Sequence, residues 1–345
     1  MTLHTEIFEQ PHILRGLLER EMNNVRRIAE EIHSLAPGYI FLAARGTSDN
    51  AGRYANYLWG SMNGLPVALA APSLFTMYRQ PPVLKGALVV GISQSGQSPD
   101  IISVLEEGHR QGCRCLAITN APDSALGQAA DYIIDIQAGT ETAVAATKTY
   151  TAELMAIAML AVALRKNDAL LDELFRTPDW AAQALELDAP LAVASERYLF
   201  MSHCAVIGRG YNYATAFEWS LKLKELAYIV AEPYSTADFQ HGPVAMVERG
   251  FPVLAVAATG MVYQDVLGLL KRLRGELFVE LVVISDQEEA LSLAQTPLSL
   301  PRGIPEWLSP LISIIPGQMF AFHLTRARGL DPDQPRSIHK VTETR

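Results

Sequence analysis

The sequence predicts an α/β fold: two tandem α/β/α sandwiches with parallel sheets, related by an internal repeat. Three observations carry that prediction. The chain has 345 residues, a length that suits two domains of roughly 150 to 200 residues each. Apolar strand-length runs alternate with helix-length segments, the pattern of βαβ units whose helices cover both faces of a parallel sheet. The alternation also occurs twice. "YIFLAARGTSDNAGRYANYLW" (39–59) is echoed by "HCAVIGRGYNYATAFEWSLKL" (203–223), and "GALVVGISQSGQSPDIISVLEEGHRQGCRCLAIT" (86–119) by "GFPVLAVAATGMVYQDVLGLLKRLRGELFVELVVIS" (250–285).

Taken in order, residues 1–36 read as one or two amphipathic helices. Residues 37–190 form the first sandwich and the connector behind it. Its last helix contains the apolar run Leu154 to Leu164, too short to span a bilayer and therefore a buried helix. The connector is helical and interrupted at Pro178. Residues 191–330 form the second sandwich, and 331–345 a C-terminal tail.

Composition narrows the function classes. Apolar residues make up 49% and charged residues 19%, which suits a globular chain and argues against disorder. A formal charge of −9 argues against a nucleic-acid partner, which clustered Lys and Arg would have to neutralise. The N-terminus lacks a basic flank followed by an apolar stretch, so no secretory signal is expected; a soluble, cytoplasmic chain with no membrane partner is the expectation. Cys113, Cys115 and Cys204 are an odd, sparse set consistent with a reducing compartment and with core packing. Neither a metal-ligand cluster nor a dinucleotide fingerprint is visible, so no cofactor is expected.

The informative stretch is "GISQSGQSPD" (91–100). It leaves a strand and enters a helix, with Ser98 as N-cap, Pro99 at the first helical position and Asp100 in the first turn. Hydroxyls, an amide and backbone N–H groups at a positive helix end suit a phosphate. The loop holds no lysine and lacks the Walker spacing, which excludes the usual nucleoside triphosphate cradle. An ordinary capped turn would need only Ser98 and Pro99. The second repeat has "AATGMVYQD" at the matching place, so the fold alone does not require the polar loop, and a ligand is the better account of it.

A second pattern lies in "YNYATAFEWSLKLKELAY" (211–228). Trp219, Leu223 and Leu226 recur at helical spacing and face the core, while Glu218, Lys222 and Glu225 form the adjoining stripe. Alternating charges on a helix are most often a solvated face. A stripe at the core boundary can instead line a cleft where partial burial tunes a carboxylate for proton transfer. His241 precedes a Gly-Pro turn, where an acid-base role near neutral pH competes with simple packing. Lys340 lies near the C-terminus, where fraying is the default.

These segments together resemble the sugar isomerase (SIS) family of phosphosugar-binding domains. "VVGISQSGQSPD", "AARGTSDNAGRYA", "AGTETAVAATKTYTAEL", "EWSLKLKELAYIVAEPYSTADFQHGPVAMV", "DPDQPRSIHKVTETR" and the early "EIFEQP" are similar to the isomerase portion of glucosamine-6-phosphate synthase and to stand-alone glucosamine-6-phosphate deaminases. The resemblance implies that Ser93, Gln94, Ser95 and Ser98 hold a sugar phosphate and that Thr47, Ser48 and the backbone at Val144 contact the substrate. It implies Glu225 as the group moving a proton between C1 and C2, Lys222 as the cation stabilising the enediolate, and His241 as the ring-opening group. That histidine often serves a neighbouring subunit's site, which implies a homodimer. In relatives the tail folds over the substrate as a lid carrying a lysine at the place of Lys340, which implies that residues 331–345 are a tail and lid and that Lys340 joins the catalytic set beside the negative oxygen, although "SIHKVTET" departs from the synthase-type tail around it.

With "EIFEQP" reached by residue 6, no glutamine-hydrolysing domain is expected ahead of it. The expected reaction is conversion of glucosamine 6-phosphate to fructose 6-phosphate with release of ammonia. Deglycase or isomerase chemistry on another amino-sugar or fructosamine 6-phosphate stays open, as does a non-catalytic sugar-phosphate sensor.

Overall fold

In the computed structural model, which describes residues 2–340, the apolar runs become ten strands in two parallel sheets. The first contains β1 (Tyr39–Ala43), β2 (Val67–Leu69), β3 (Ala87–Ser93), β4 (Arg114–Thr119) and β5 (Tyr132–Asp135), in the order β2-β1-β3-β4-β5. The second contains β6 (His203–Ile207), β7 (Val230–Tyr234), β8 (Pro252–Val256), β9 (Glu280–Ser285) and β10 (Thr296–Ser299). Read from its β7 edge, its order is β7-β6-β8-β9-β10. The two orders are the same, so the repeat seen in the sequence is a repeat of topology. β3 is buried at every position, as expected of a central strand covered on both faces.

The chain divides into two compact units. The unit carrying the first sheet comprises His12–Thr142, Lys148–Arg176 and residues 339–340. The unit carrying the second comprises residues 2–11, Ala143–Thr147 and Thr177–Ile338. The opening segment is one helix, Thr2–Leu35, with Pro11 inside it.

In the first-sheet unit, one face packs Phe41, Val89, Cys115 and Ala117 against Ile101, Val104 and Leu105 of the helix Pro99–Arg110. The helices Gly46–Asn63 and Lys148–Arg165 pack together, with Trp59 Nε1 donating to the Ile157 carbonyl at 3.1 Å and Asn63 Nδ2 to that of Ala161 at 2.9 Å. Lys148–Arg165 is buried as far as Leu164, as the Leu154 to Leu164 run predicts.

In the second-sheet unit the corresponding pair is Tyr213–Ala227 and Ser309–Ala327, joined by an edge-on Trp219–Phe320 contact at 5.8 Å. Gly317 lets them approach, since a Cβ there would meet Trp219 Cγ at 3.1 Å. The segment Glu306–Ala327 is long and apolar enough by composition to cross a membrane, yet its apolar window is wholly buried. The helical connector is interrupted at Pro178: Asp168–Phe175 ends and Thr177–Ala184 begins, with the proline in the first turn of the second helix, where a missing N–H costs nothing. All three cysteines are buried and free, and burial raises the Cys115 and Cys204 thiols to about 12.

Candidate active site

In open α/β sheets, ligands bind beyond the carboxyl ends of the strands where the strand order reverses. In the first sheet that point lies between β1 and β3, which pair in register from Tyr39↔Ala87 to Ala43↔Gly91. The helix after β1 is Gly46–Asn63, bearing Thr47 and Ser48, and the loop after β3 holds Gln94 to Ser98. Topology therefore brings the predicted phosphate residues and the Thr47–Ser48 pair to one edge of one sheet. The strand itself runs on through Ser93, two residues beyond the Gly91 exit expected from the sequence.

The loop is braced from behind. Its carbonyls at Gln94 and Gly96 accept from the Asn120 and Leu126 amides at 3.2 and 3.0 Å, while Ser93 Oγ accepts from the Gly96 amide at 3.2 Å. Gly96 has φ +62°, and a Cβ on it would lie 1.9 Å from Ser124 Oγ. Glycine at this position is thus required by both conformation and space. Ser98 occupies the N-cap position with extended backbone and Pro99 begins the helix, but the Ser98 side chain makes no cap hydrogen bond. Ser93 is buried; Gln94, Ser95 and Ser98 are half-buried.

Two of the neighbouring contacts were not read from the sequence. Arg45 donates through Nε and Nη2 to Asp100 Oδ2 at 3.0 and 2.6 Å, tying the turn after β1 to the first turn of Pro99–Arg110. Asp100 is almost fully buried while the Arg45 side chain is half exposed, so a cation stands at the loop that lysine does not supply. Ser48 is buried and donates to Glu153 Oε1 at 2.8 Å, so its hydroxyl is held by the protein. Thr47 is half-buried.

In the second-sheet unit, the stripe on Tyr213–Ala227 is not solvated. Lys222 and Glu218 have side chains 1% and 0% exposed; Glu225 reaches solvent at 24%. Lys222 Nζ lies 2.6 Å from Glu225 Oε2 and 3.3 Å from Glu218 Oε1. Burial alone would push the ammonium down, but the two carboxylates outweigh it and hold Lys222 above the ordinary lysine range. The lysine is a fixed cation, and Glu225 is the member of the triad that a solute can reach. Tyr228 ends the helix in the left-handed conformation at φ 56°.

His241 follows the short helix Thr236–Gln240 and is exposed; its amide bonds the Ala237 and Asp238 carbonyls at 3.2 Å. Val144 is half-buried and belongs to the same unit. Lys340, in the first-sheet unit, places Nζ 2.5 Å from Glu141 Oε2. The rest of the "KVTET" ending lies outside the described residues.

Among the described residues, two groups of side chains have ligand atoms close enough to hold an ion: His4, Asp188 and His323, and His109, Cys115 and Asp131. In the first, both Nε2 atoms meet Asp188 Oδ1, at 3.0 and 2.7 Å. Burial raises the Asp188 carboxyl, but the two histidine hydrogen bonds outweigh it and hold it below its usual range. In the second, the raised Cys115 thiol is a poor ligand at neutral pH.

A twice-repeated parallel α/β sandwich, with a hydroxyl-rich loop at one switch point and an acid–lysine–acid helix in the other repeat, defines a tandem-repeat protein of the α/β class. The chain belongs to the SIS domain family, whose model matches residues 36–163 and 201–327. It is 34% identical over 349 residues to the glutamine–fructose-6-phosphate aminotransferase (isomerizing) of Thermus thermophilus, covering 97% of this chain and 57% of that protein. The chain thus spans little more than half the length of that relative. A Silicibacter pomeroyi structure assigned as a phosphosugar isomerase matches with TM-score 0.86 at 32% identity, over 96% of this chain and all of that one. The C-terminal domain of glucosamine-fructose-6-phosphate aminotransferase from Francisella tularensis matches with TM-score 0.87 at 28% identity, over 97% and 98%. A glucosamine-6-phosphate deaminase from Thermotoga maritima, at 19% identity and TM-score 0.79 over the whole of both chains, shares the fold.

Proposed function

We propose that the protein is a phosphosugar aldose–ketose isomerase that converts glucosamine 6-phosphate and water into fructose 6-phosphate and ammonia. The observation that carries this reading is the Glu218–Lys222–Glu225 triad, in which a buried ammonium stands 2.6 Å from the one carboxylate open to solvent. A proton shuttle needs a carboxylate within reach of substrate, and an enediolate-like intermediate needs a fixed cation.

In the reading, Ser93, Gln94, Ser95 and Ser98 hold the phosphate, and Thr47, Ser48 and the Val144 backbone contact the sugar. Binding energy at the phosphate, remote from the reacting carbons, orients C1 and C2. His241 opens the ring; its exposure on its own chain suits service to a second copy in a homodimer. Glu225 removes the proton from C2 and returns it to C1, while O1 gains a proton and the C2 amine gives one up, leaving a hydroxymethyl C1 and an imine at C2. Water adds to that carbon, ammonia leaves, and the ketose remains. Lys222 and Lys340 stabilise the negative oxygen in the proton-transfer step.

The test is ammonia release from glucosamine 6-phosphate, with galactosamine 6-phosphate and a fructosamine 6-phosphate alongside. Glu225→Gln is expected to lower turnover by about 10²- to 10⁴-fold with the melting curve unchanged. Activity on either other substrate alone would reassign the substrate. Silence on all three, with phosphosugar still bound, would make the protein a sensor.

A further inference from the structure

Glu141 lies in the "AGTETAVAATKTYTAEL" segment, between β5 and the helix Lys148–Arg165, and none of the roles above uses it. Its side chain is 0% exposed. Oε1 accepts from the Thr149 amide at 3.2 Å in the first turn of that helix, and Oε2 from Thr149 Oγ1 at 2.7 Å. Oε2 also receives Lys340 Nζ, from 199 residues further along the chain, at 2.5 Å. A buried carboxylate held at both oxygens by one rigid helix start is a fixed dock, whereas the lysine that meets it is on a tail segment without helix or strand. Rigid anchor and irregular tail make an asymmetric pair, in which the anchor sets where the amine rests.

We propose that Glu141 is the positioning residue for Lys340, docking the tail amine at a fixed point of the first-sheet unit. The proposal rests on the reading of Lys340 as part of the catalytic set. A capping role alone would need only the Thr149 contacts, and a glutamine would supply an acceptor for them. Positioning of Lys340 needs the charge. Glu141→Gln therefore separates the two roles.

The experiment has an arm that does not depend on turnover. Acetic anhydride labelling of Lys340, followed by mass spectrometry, is expected to run about threefold or more faster in Glu141→Gln than in the unaltered protein, as for loss of one ion pair; equal rates overturn the proposal. In the activity arm, Glu141→Gln lowers kcat on glucosamine 6-phosphate about tenfold with little change in KM, and adds nothing to the loss in Lys340→Ala. Losses that multiply would mean Glu141 acts without Lys340 and would also overturn it. Should Glu141→Gln fail to fold, Lys340→Gln is read instead. Faster hydrogen exchange at the Thr149 amide supports the dock, and unchanged exchange refutes it. If the unaltered protein turns over no phosphosugar, the proposed reaction fails, while the labelling arm still decides whether Glu141 docks the tail.

Discussion

Gly96 shows how a single residue fixes the loop. Its φ of +62° costs any residue with a Cβ about 1–2 kcal/mol, and the added carbon would also strike Ser124 Oγ. Because the Gly96 carbonyl accepts the Leu126 amide, a shift there would move the segment carrying Ser95 and Ser98. Gly96→Ala is thus expected to lower the midpoint of urea unfolding and to weaken phosphosugar binding by about tenfold or more, by calorimetry. Unaltered affinity in a folded variant would mean that the loop does not hold the phosphate. The hydroxyl neighbours of this glycine were legible in the sequence, since residue types clustered in one loop are a local signal. Arg45 escaped because its significance is the contact with Asp100, 55 positions away, and nothing in the spacing of the two residues announces it.

The helix Tyr213–Ala227 poses the corresponding question for an element. Periodicity placed Trp219, Leu223 and Leu226 in the core correctly, at 0%, 0% and 2% exposure. It could not tell that the charged stripe beside them is buried too, because burial of that face depends on elements distant in sequence. The consequence is energetic: a Glu218 side chain with no exposure is tolerable only with a cation beside it. Lys222→Met should destabilise the protein by about 3–5 kcal/mol in urea unfolding, as expected when one partner of a buried pair is removed. The double variant Lys222→Met, Glu218→Gln should recover a large part of the loss.

The pH dependence of the Lys222→Met effect follows from the direction of the lysine's shift. A folded-state value raised above the unfolded one gives stability that is complete below the unfolded lysine value and lost only as pH rises through the folded one. The difference between wild type and Lys222→Met should therefore stay constant from about pH 7 to about pH 9. A marked fall in that interval would contradict a lysine held charged by Glu218 and Glu225.

At the scale of the whole molecule, the repeat was legible because strand–turn–helix units leave local apolar signatures, and both sheets realise the same strand order. How the chain is shared between the units was not legible. Ala143–Thr147 sits with the second sheet although it lies between segments of the first, an exchange set by packing and not by pattern. The contrast between the two switch-point loops turns on what each sets before its helix. β3 ends on Ser93 and the loop after it carries Ser95 and Ser98, with a Ser98 side chain that makes no cap bond. After β8 the matching amides are met by the protein's own carboxylates: Thr259 donates to Asp286 at 2.8 Å, and Met261 to Glu306 Oε2 at 2.9 Å. A Cβ on Gly260 would lie 2.1 Å from Glu306 Cδ, so that carboxylate is packed into the place an anion would need. The second repeat thus fills its helix start internally, whereas in the first the Ser98 side chain is not spent on the cap; under the proposed function, that helix start takes the phosphate. Titration with glucosamine 6-phosphate should accordingly give one site per chain. Ser95→Ala with Ser98→Ala should weaken that site by about tenfold or more, while Thr259→Ala leaves it unchanged. Two sites per chain, or equal losses from both changes, would mean that the repeats bind alike and that the hydroxyl-rich loop has no special part in holding the phosphate.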